Sequence, residues 1–214
     1  MGAGRTELLE TIFGLTPALS GSVAVDGNVL KLSSNRDAIQ AGIALVPEDR
    51  KSAGLVLEAG VRSNIGLPSL WRHRVAQMFA NRSKEKSVSA EMIAEMKIKT
   101  PNDGQQVKYL SGGNQQKVVI GKWLSMSPRV LLLDEPTRGV DVGAKQEIYR
   151  LMEELAEQGV AVLFVSSELE EVISMSDRAL VMHEGRLAGE LGRDELSEES
   201  IMQLATGTNL VAKI

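Results

Sequence analysis

Two adjacent carboxylates, Asp134 and Glu135, directly follow a run of apolar residues at positions 130–133. The apolar run predicts a buried strand, and ligands of open α/β sheets bind where such strands end. Asp134 is placed there to hold Mg²⁺, directly or through water, because this ion prefers hard oxygen ligands. Glu135 is placed to orient or deprotonate a water that attacks a phosphoryl group. The alternative is a pair of acidic residues on an exposed strand end, where Pro136 turns the chain.

A second candidate segment, LSGGNQQKVVIGKWL, begins at Leu110. Ser111 occupies an N-cap position, Gly112 and Gly113 leave the backbone bare, and a helical pattern starts directly behind them. Bare amides at a helix N-terminus form, together with a hydroxyl, an anion site that suits a phosphate. The alternative is an ordinary capped helix after a flexible turn, and this segment alone favours neither interpretation.

Apolar strands alternate with helices in the parts of the chain that must position these segments. After Arg129, the strand patterns VLLLDEP, GVAVLFVSS and RALVMHEG are separated by helical stretches such as AKQEIYRLMEELAEQG, which Gly159 ends at its C-cap. Upstream, SGSVAVDG predicts a strand closed by an Asp-Gly turn, and positions 43–46 predict another strand. The alternation predicts an α/β fold whose mostly parallel sheet is covered on both faces.

A change in character between about residues 57 and 125 predicts a subdomain. This stretch is richer in helix formers and contains two polar breaks, NRSKEKS and KTPNDGQQ. We expect a mainly helical subdomain over 57–125, inserted into a core formed by residues 1–56 and 126–214. Residues 1–214 would then form a single domain of ordinary size.

Composition excludes several classes of protein. A hydrophobic fraction of 43% supports a buried core, and a net charge of -4 argues against a general nucleic-acid binder. The absence of cysteine excludes disulfides and thiolate metal sites. We expect neither a signal peptide nor a bilayer-spanning segment, because no apolar run approaches about 18 residues. His73 and His183 are predicted to be surface or structural residues rather than catalytic or metal-binding ones.

The order and spacing of the two candidate segments resemble those of the ATP-binding-cassette (ABC) family. LSGGNQQ is similar to the signature motif of that family, DEPT to its Walker B motif with the adjacent glutamate, and RGVD to its D-loop. PEDRK and VSSELEEV lie where the family has its Q-loop and its switch histidine, and GAGRT lies at its Walker A loop. The resemblance covers essentially the whole chain. It implies a P-loop ABC ATPase cassette with ATP and Mg²⁺ as cofactors.

The resemblance also implies a role for each position that matches a family motif. Glu135 and Ser167 take the catalytic positions, and Thr6 and Asp134 take the metal positions. The implied nucleotide-binding residues are Gly2, Gly4, Arg5, Thr6, Glu48, Ser111, Gly112, Gly113, Gln115 and Asp141.

Departures from the family pattern concentrate in the site that this chain would form for its own nucleotide. Arg5 stands at the Walker A lysine position, Glu48 at the Q-loop glutamine and Ser167 at the switch histidine. A planar guanidinium is not equivalent to a compact ammonium in a tight phosphate cradle, although the alternative is that Arg5 still binds phosphate. The strand and glycine that lead into the Walker A loop would lie before Met1, so we expect truncated N-terminal strands. Together these departures predict a degenerate site beside an intact signature.

This asymmetry resembles the C-terminal cassette of tandem sugar-importer ATPases of the ribose, xylose, arabinose, galactose and autoinducer type. The resemblance implies an ATP-binding and ATP-hydrolysing half, weak or inactive alone, at the cytoplasmic face of the cell membrane. The implied partners are an N-terminal cassette, membrane permease subunits and, indirectly, a periplasmic sugar-binding protein, without nucleic acid. The alternative is a non-transport or regulatory ABC-type protein without a permease. Retention of Glu135 disfavours a pure regulatory module, which needs no catalytic carboxylate.

Overall fold

The computed structural model describes residues 2–69 and 82–207, together with the backbone of residues 74–75 and 79–80. Its helices are α1 (Arg5–Ile12), α2 (Asn35–Gln40), α3 (Val61–Gly66), α4 (Arg82–Glu95), α5 (Gly112–Leu124), α6 (Val142–Glu157), α7 (Leu169–Met175) and α8 (Glu198–Ala205). Its strands are β1 (Val23–Val25), β2 (Asn28–Leu30), β3 (Ile43–Val46), β4 (Arg74–Val75), β5 (Phe79–Ala80), β6 (Val130–Asp134), β7 (Ala161–Val165), β8 (Arg178–His183) and β9 (Arg186–Gly192). None of the described helices is both long enough and apolar enough to cross a bilayer.

A parallel sheet with the strand order β3-β6-β7 lies at the centre of the fold. Leu131, Leu132 and Leu133 of the central strand β6 are completely buried, so both faces of the strand are covered. Helix α1 packs against β6, α2 and α5 pack against β3, and α6 packs against β7. The predicted parallel sheet is therefore confirmed. Because β6 and β7 are parallel neighbours, the loops that follow them meet at one edge of the sheet.

Two antiparallel hairpins flank the parallel sheet. The β1–β2 turn consists of Asp26 and Gly27, both with positive φ (51° and 75°), which is the turn that SGSVAVDG predicts. The β8–β9 turn has the same character at Glu184 and Gly185 (φ 47° and 76°). This second turn contacts the residues that precede α1.

The region between residues 57 and 125 contains helices α3, α4 and α5, and α3 packs against the other two. A short antiparallel pair, β4 and β5, interrupts it. The sequence pattern did not predict this pair, although Val75 and Phe79 are residue types that favour strands. His73 lies outside the described residues, whereas the Nδ1 atom of His183 contacts the carbonyl oxygen of Ala205 at 2.7 Å. That contact agrees with a structural role for His183.

Candidate functional site at the carboxyl edge of the sheet

The start of α1 is held against the β8–β9 turn. Gly4 caps the helix in a left-handed conformation (φ 86°), and a Cβ added there would lie 3.1 Å from the Cα atom of Gly185. The amide of Gly185 donates to the carbonyl of Ala3 over 3.1 Å. Gly2 is exposed and belongs to the same loop. Glycine suits position 4 because it adopts this positive φ without strain and leaves room for Gly185. The first turn of α1 then places Arg5 and Thr6 beside the end of β6.

Asp134 is buried beneath this helix turn, with 3% of its surface exposed. Its Oδ2 atom accepts a hydrogen bond from Thr6 Oγ1 over 2.7 Å. Its Oδ1 atom is buried and accepts no hydrogen bond from any of the residues that the structure describes. Burial raises the pKa of this carboxyl, while the Thr6 hydrogen bond and the charge of Arg5 act in the opposite direction. Burial of Asp134 contradicts the alternative of an exposed acidic strand end, and the unpartnered oxygen suits a cation.

Glu135 follows in a left-handed conformation that non-glycine residues rarely adopt (φ 47°). Its amide donates to the carbonyl of Val165 over 3.0 Å, which anchors it to β7. Its Oε2 atom accepts a hydrogen bond from Ser167 Oγ over 3.1 Å, and its Oε1 atom lies 3.9 Å from Arg5 Nη2. The other Arg5 nitrogen, Nη1, donates to the carbonyl of Ser166 over 2.9 Å. Arg5, Glu135 and Ser167 thus form one polar cluster.

The ion pair of Glu48 is with Arg138. Beside it, Arg50 donates to the carbonyls of Arg138 and Gly139 over 2.9 and 3.1 Å. These residues line an open cleft of about 450 Å³ together with Asp49 and Lys51. The structure therefore connects the PEDRK segment to the RGVD segment through Glu48 and Arg50.

Ser111 caps α5 as the sequence predicts. Its Oγ atom accepts from the amide of Asn114 over 3.4 Å and from Asn114 Nδ2 over 2.9 Å. Asp141 caps α6 in the same way, with Oδ1 accepting from the amide of Ala144 over 2.9 Å. Ser111 and Asp141 both line a cavity of about 210 Å³, together with Lys99 and Lys117. Two carboxylates, Asp141 and Glu147, line it as well, and Glu147 is paired with Lys117 at 2.5 Å. The attraction of the cavity for an anion therefore comes from the two helix N-termini and Lys99.

Steric crowding explains both glycines of the signature. A Cβ added to Gly112 would lie 2.9 Å from Arg50 Nη2 and 3.0 Å from the carbonyl oxygen of Gly139. A Cβ added to Gly113 would lie 2.6 Å from the Cβ atom of Ala144. These separations are shorter than ordinary van der Waals contact, so α5 approaches its neighbours this closely only because it begins with glycines.

The side chain of Gln115 points into the interior of the protein, unlike that of Ser111, which lines the cavity. Gln115 is 4% exposed, and its Nε2 atom donates to the carbonyl of Val107 over 3.1 Å. The structure thus uses Gln115 to join α5 to the preceding turn, while Ser111 faces the cavity. The predicted site residues therefore form two groups. The α1–β6–β7 cluster contains Arg5, Thr6, Asp134, Glu135 and Ser167, and the signature cluster contains Ser111, Gly112, Gly113 and Asp141. Glu48 lies at a third position, and Gln115 lies in the interior.

One buried carboxylate beside the site was not found from the sequence. Glu171 in α7 is 3% exposed and receives hydrogen bonds from the hydroxyls of Thr137, Tyr149 and Ser166. In the sequence it stands among the acidic residues of ELEE, which are typical of a solvated helix start. No local pattern distinguishes Glu171 from its exposed neighbours, because two of its three partners, Thr137 and Tyr149, lie 34 and 22 positions away in sequence.

Comparisons with known proteins place the chain in a family. A model described as "ABC transporter" matches residues 1–138. The chain is 53% identical over 207 residues to the ribose import ATP-binding protein RbsA of Bacillus cereus, covering 97% of this chain and 42% of that protein. It is 52% identical over 209 residues to the ribose import ATP-binding protein RbsA of Geobacillus kaustophilus, covering 98% of this chain and 42% of that protein. The chain thus spans about two fifths of the length of these relatives.

Solved structures agree at the level of the fold. MJ1267, an ATP-binding cassette of an ABC transporter, superimposes with a TM-score of 0.77 at 22% identity over 94% of this chain and 83% of that chain. MJ0796, a bacterial ABC transporter cassette in dimeric form, gives 0.75 at 22% identity over 90% and 82%. The family model covers more than half of the chain. The chain therefore belongs to the ABC transporter family.

Proposed function

We propose that this chain is the ATP-binding C-terminal half of a sugar importer and binds ATP with Mg²⁺ where β6 and β7 end. One observation carries the nucleotide site: Thr6 and Asp134 are hydrogen-bonded beneath the N-terminus of α1, and the second Asp134 oxygen is buried without a partner. A helix N-terminus attracts phosphate, and the orphaned carboxylate oxygen suits a divalent cation. Identity of 53% to ribose import ATP-binding proteins supports a sugar as the transported molecule.

The residues of the α1–β6–β7 cluster divide the work at this site. Thr6 and Asp134 would hold Mg²⁺, which when bound neutralises charge on the nucleotide phosphates. The amides of the first turn of α1 and the guanidinium of Arg5 bind phosphate oxygens. Glu135 is the group that orients or deprotonates the attacking water.

We further propose that this site hydrolyses ATP slowly. Arg5 donates to the Ser166 carbonyl and lies 3.9 Å from Glu135, so its charge is directed toward the protein. Ser167 has a short, neutral side chain whose hydroxyl is bound to Glu135. Release of these contacts must accompany nucleotide binding, and a serine lacks the reach and basicity of an imidazole.

The signature cluster is proposed to serve a nucleotide held by a second cassette. Ser111 and Asp141 line a cavity that combines two helix N-termini with Lys99, while Lys117 is paired there with Glu147. The chain corresponds to about two fifths of its relatives, which leaves room in them for a second cassette. We propose that the pair docks onto membrane permease subunits at the cytoplasmic face, with a periplasmic sugar-binding protein as an indirect partner. Within the chain, we propose that residues 57–125 form the helical subdomain of a single cassette.

Nucleotide binding tests the site itself. Asp134→Asn keeps an acceptor for Thr6 but removes the charge, so the Mg²⁺-dependent part of ATP affinity should fall by at least about tenfold. The measurement is equilibrium binding of ATP to the purified chain, with Mg²⁺ and with EDTA. Asp194→Asn, at an exposed position, is the matched control and should bind as the wild type does. A wild-type chain whose ATP affinity does not depend on Mg²⁺ contradicts the proposed site.

A pair of variants in the two-cassette protein tests the division of labour. Ser111→Arg places a bulky cation at the N-terminus of α5 and removes its cap, so transport and ATP hydrolysis should be abolished. Glu135→Gln should leave hydrolysis within about threefold of the wild type. Loss of a catalytic carboxylate from a fully active site costs on the order of 10² to 10⁴ in rate. If Glu135→Gln is as damaging as Ser111→Arg, the slow-site proposal is wrong and Arg5 supports a working site.

A further inference from the structure

We propose that Glu171 is a positioning residue whose buried carboxylate holds the loops after β6 and β7 in the arrangement that nucleotide binding requires. This inference rests on the proposed ATP site and names a residue behind that site that contacts neither nucleotide nor metal. Glu171 lies in α7, a helix that carries none of the predicted site residues.

Three hydroxyl groups from three separate segments converge on Glu171. Its Oε1 atom accepts from Thr137 Oγ1, in the loop after β6, and from Tyr149 OH in α6 over 2.5 Å. Its Oε2 atom accepts from Ser166 Oγ, in the loop after β7, over 2.6 Å. Lys145 Nζ lies 3.9 Å from Oε1. A single carboxylate therefore joins both loops to α6 and α7.

The electrostatics of this cluster keep its donors in place. Burial raises the pKa of Tyr149, and the hydrogen bond to Glu171 raises it further, so the phenol stays protonated and donates. Lys145 contacts Glu168 more closely than Glu171, with Nζ to carboxylate distances of 2.5 and 2.7 Å. Hydroxyl donors thus satisfy both oxygens of the buried Glu171 side chain.

The two loops that Glu171 joins carry the predicted catalytic residues, Glu135 and Ser167. Thr137 is two residues from Glu135, and Ser166 is adjacent to Ser167. The carbonyl of Ser166 also accepts the hydrogen bond of Arg5. If either loop is released from Glu171, the groups that face the nucleotide are free to move relative to each other. Tyr149 belongs to neither loop, and its hydrogen bond joins Glu171 to α6 alone.

Two substitutions that remove a hydrogen bond to the same oxygen separate positioning from stability. Thr137→Val and Tyr149→Phe each delete one donor to Oε1 of Glu171. Both should lower Tm by a similar amount, roughly 2–8 °C. Only Thr137→Val should weaken binding of MgATP to the purified chain, by about fivefold or more, whereas Tyr149→Phe should stay within about twofold. Thr137→Ser, which keeps the hydroxyl, should restore the wild-type affinity.

Ser166→Ala tests the second loop and should weaken MgATP binding as Thr137→Val does. All affinities are measured by equilibrium binding at a temperature where each variant is folded. Equal affinities for Thr137→Val and Tyr149→Phe, at matched losses in Tm, would show that Glu171 is structural only and overturn the inference. A wild-type chain that binds no MgATP would instead overturn the proposed function together with it.

Discussion

The hydroxyl of Ser167 donates a hydrogen bond to Oε2 of Glu135 over 3.1 Å, across the loops that follow two neighbouring strands. The other oxygen of Glu135 lies 3.9 Å from the guanidinium of Arg5. Both oxygens of the proposed water-orienting carboxylate are thus engaged by Arg5 and Ser167, the two side chains on which our slow-site proposal rests. Arg5 and Ser167 therefore act on the same carboxylate, that of Glu135.

Replacing Ser167 with histidine should raise ATP hydrolysis. An imidazole extends farther than a hydroxymethyl group and can exchange a proton near neutral pH, so we expect the single-turnover rate at saturating MgATP to rise at least about tenfold. Ser167→Ala, which removes the hydroxyl without adding a base, should stay within about threefold of the wild type. An unchanged rate for Ser167→His would place the cause of slow hydrolysis elsewhere, with Arg5 as the next residue to change.

Moving one methyl group between α5 and α6 tests the close approach of these helices. Gly113→Ala places a Cβ 2.6 Å from that of Ala144 and should destabilise the chain by about 1–3 kcal/mol. Ala144→Gly alone should cost about 1 kcal/mol of helix stability. The loss in free energy of unfolding of the double variant should be smaller than the sum of the two single losses, because the added methyl then occupies the vacated space. Urea unfolding of the four proteins gives the coupling free energy.

Gly121→Ala provides the matched control for that experiment. It lies in the same helix, and its added Cβ would meet the side chains of Met96 and Met92, at 3.3 and 3.8 Å. Because Met is flexible and alanine favours helices, the free energy of unfolding should change by less than about 1 kcal/mol. Strict additivity of Gly113→Ala and Ala144→Gly would contradict the observed crowding.

Lys122 should make the stability of the chain rise with pH in the alkaline range. Lys122 is 7% exposed, its ammonium group donates to the carbonyl of Gly54 over 2.5 Å, and burial lowers its pKa to about 8. Because the unfolded chain has the ordinary pKa near 10.5, it binds more protons than the folded chain between pH 8 and 10.5. The burial penalty is therefore complete below pH 8 and disappears as pH rises toward 10.5.

Comparison with Lys122→Met isolates that effect from other alkaline titrations. Relative to this variant, the wild type should gain roughly 3 kcal/mol in free energy of unfolding between pH 8 and 10.5, as urea titrations at several pH values would measure. Lys31→Met, at an exposed position, should show no such relative change. A flat difference between wild type and Lys122→Met would mean that the buried amine is as easily charged as an exposed one.

Several features of the fold follow from local sequence patterns. The run before Asp134 forms the buried central strand, Asp26 and Gly27 form the hairpin turn, and Ser111 caps α5. Each depends on interactions within a few residues: side-chain periodicity, the glycine preference at positive φ, or a hydroxyl that reaches its own helix. The short β4–β5 pair was missed because it lies within a stretch dominated by helix formers.

The sequence by itself determined which chemical groups are present: a carboxylate pair after a buried strand, a glycine-rich helix start, and the side chains of Arg5 and Ser167. Only the tertiary structure decided which of them meet. Thr6 and Asp134 are 128 positions apart yet share a hydrogen bond, while Gln115 turns into the interior and Glu171 becomes a buried anchor. The physical reason is that such contacts depend on which strands are neighbours and which helix faces are covered. Those relationships arise from packing of the whole chain.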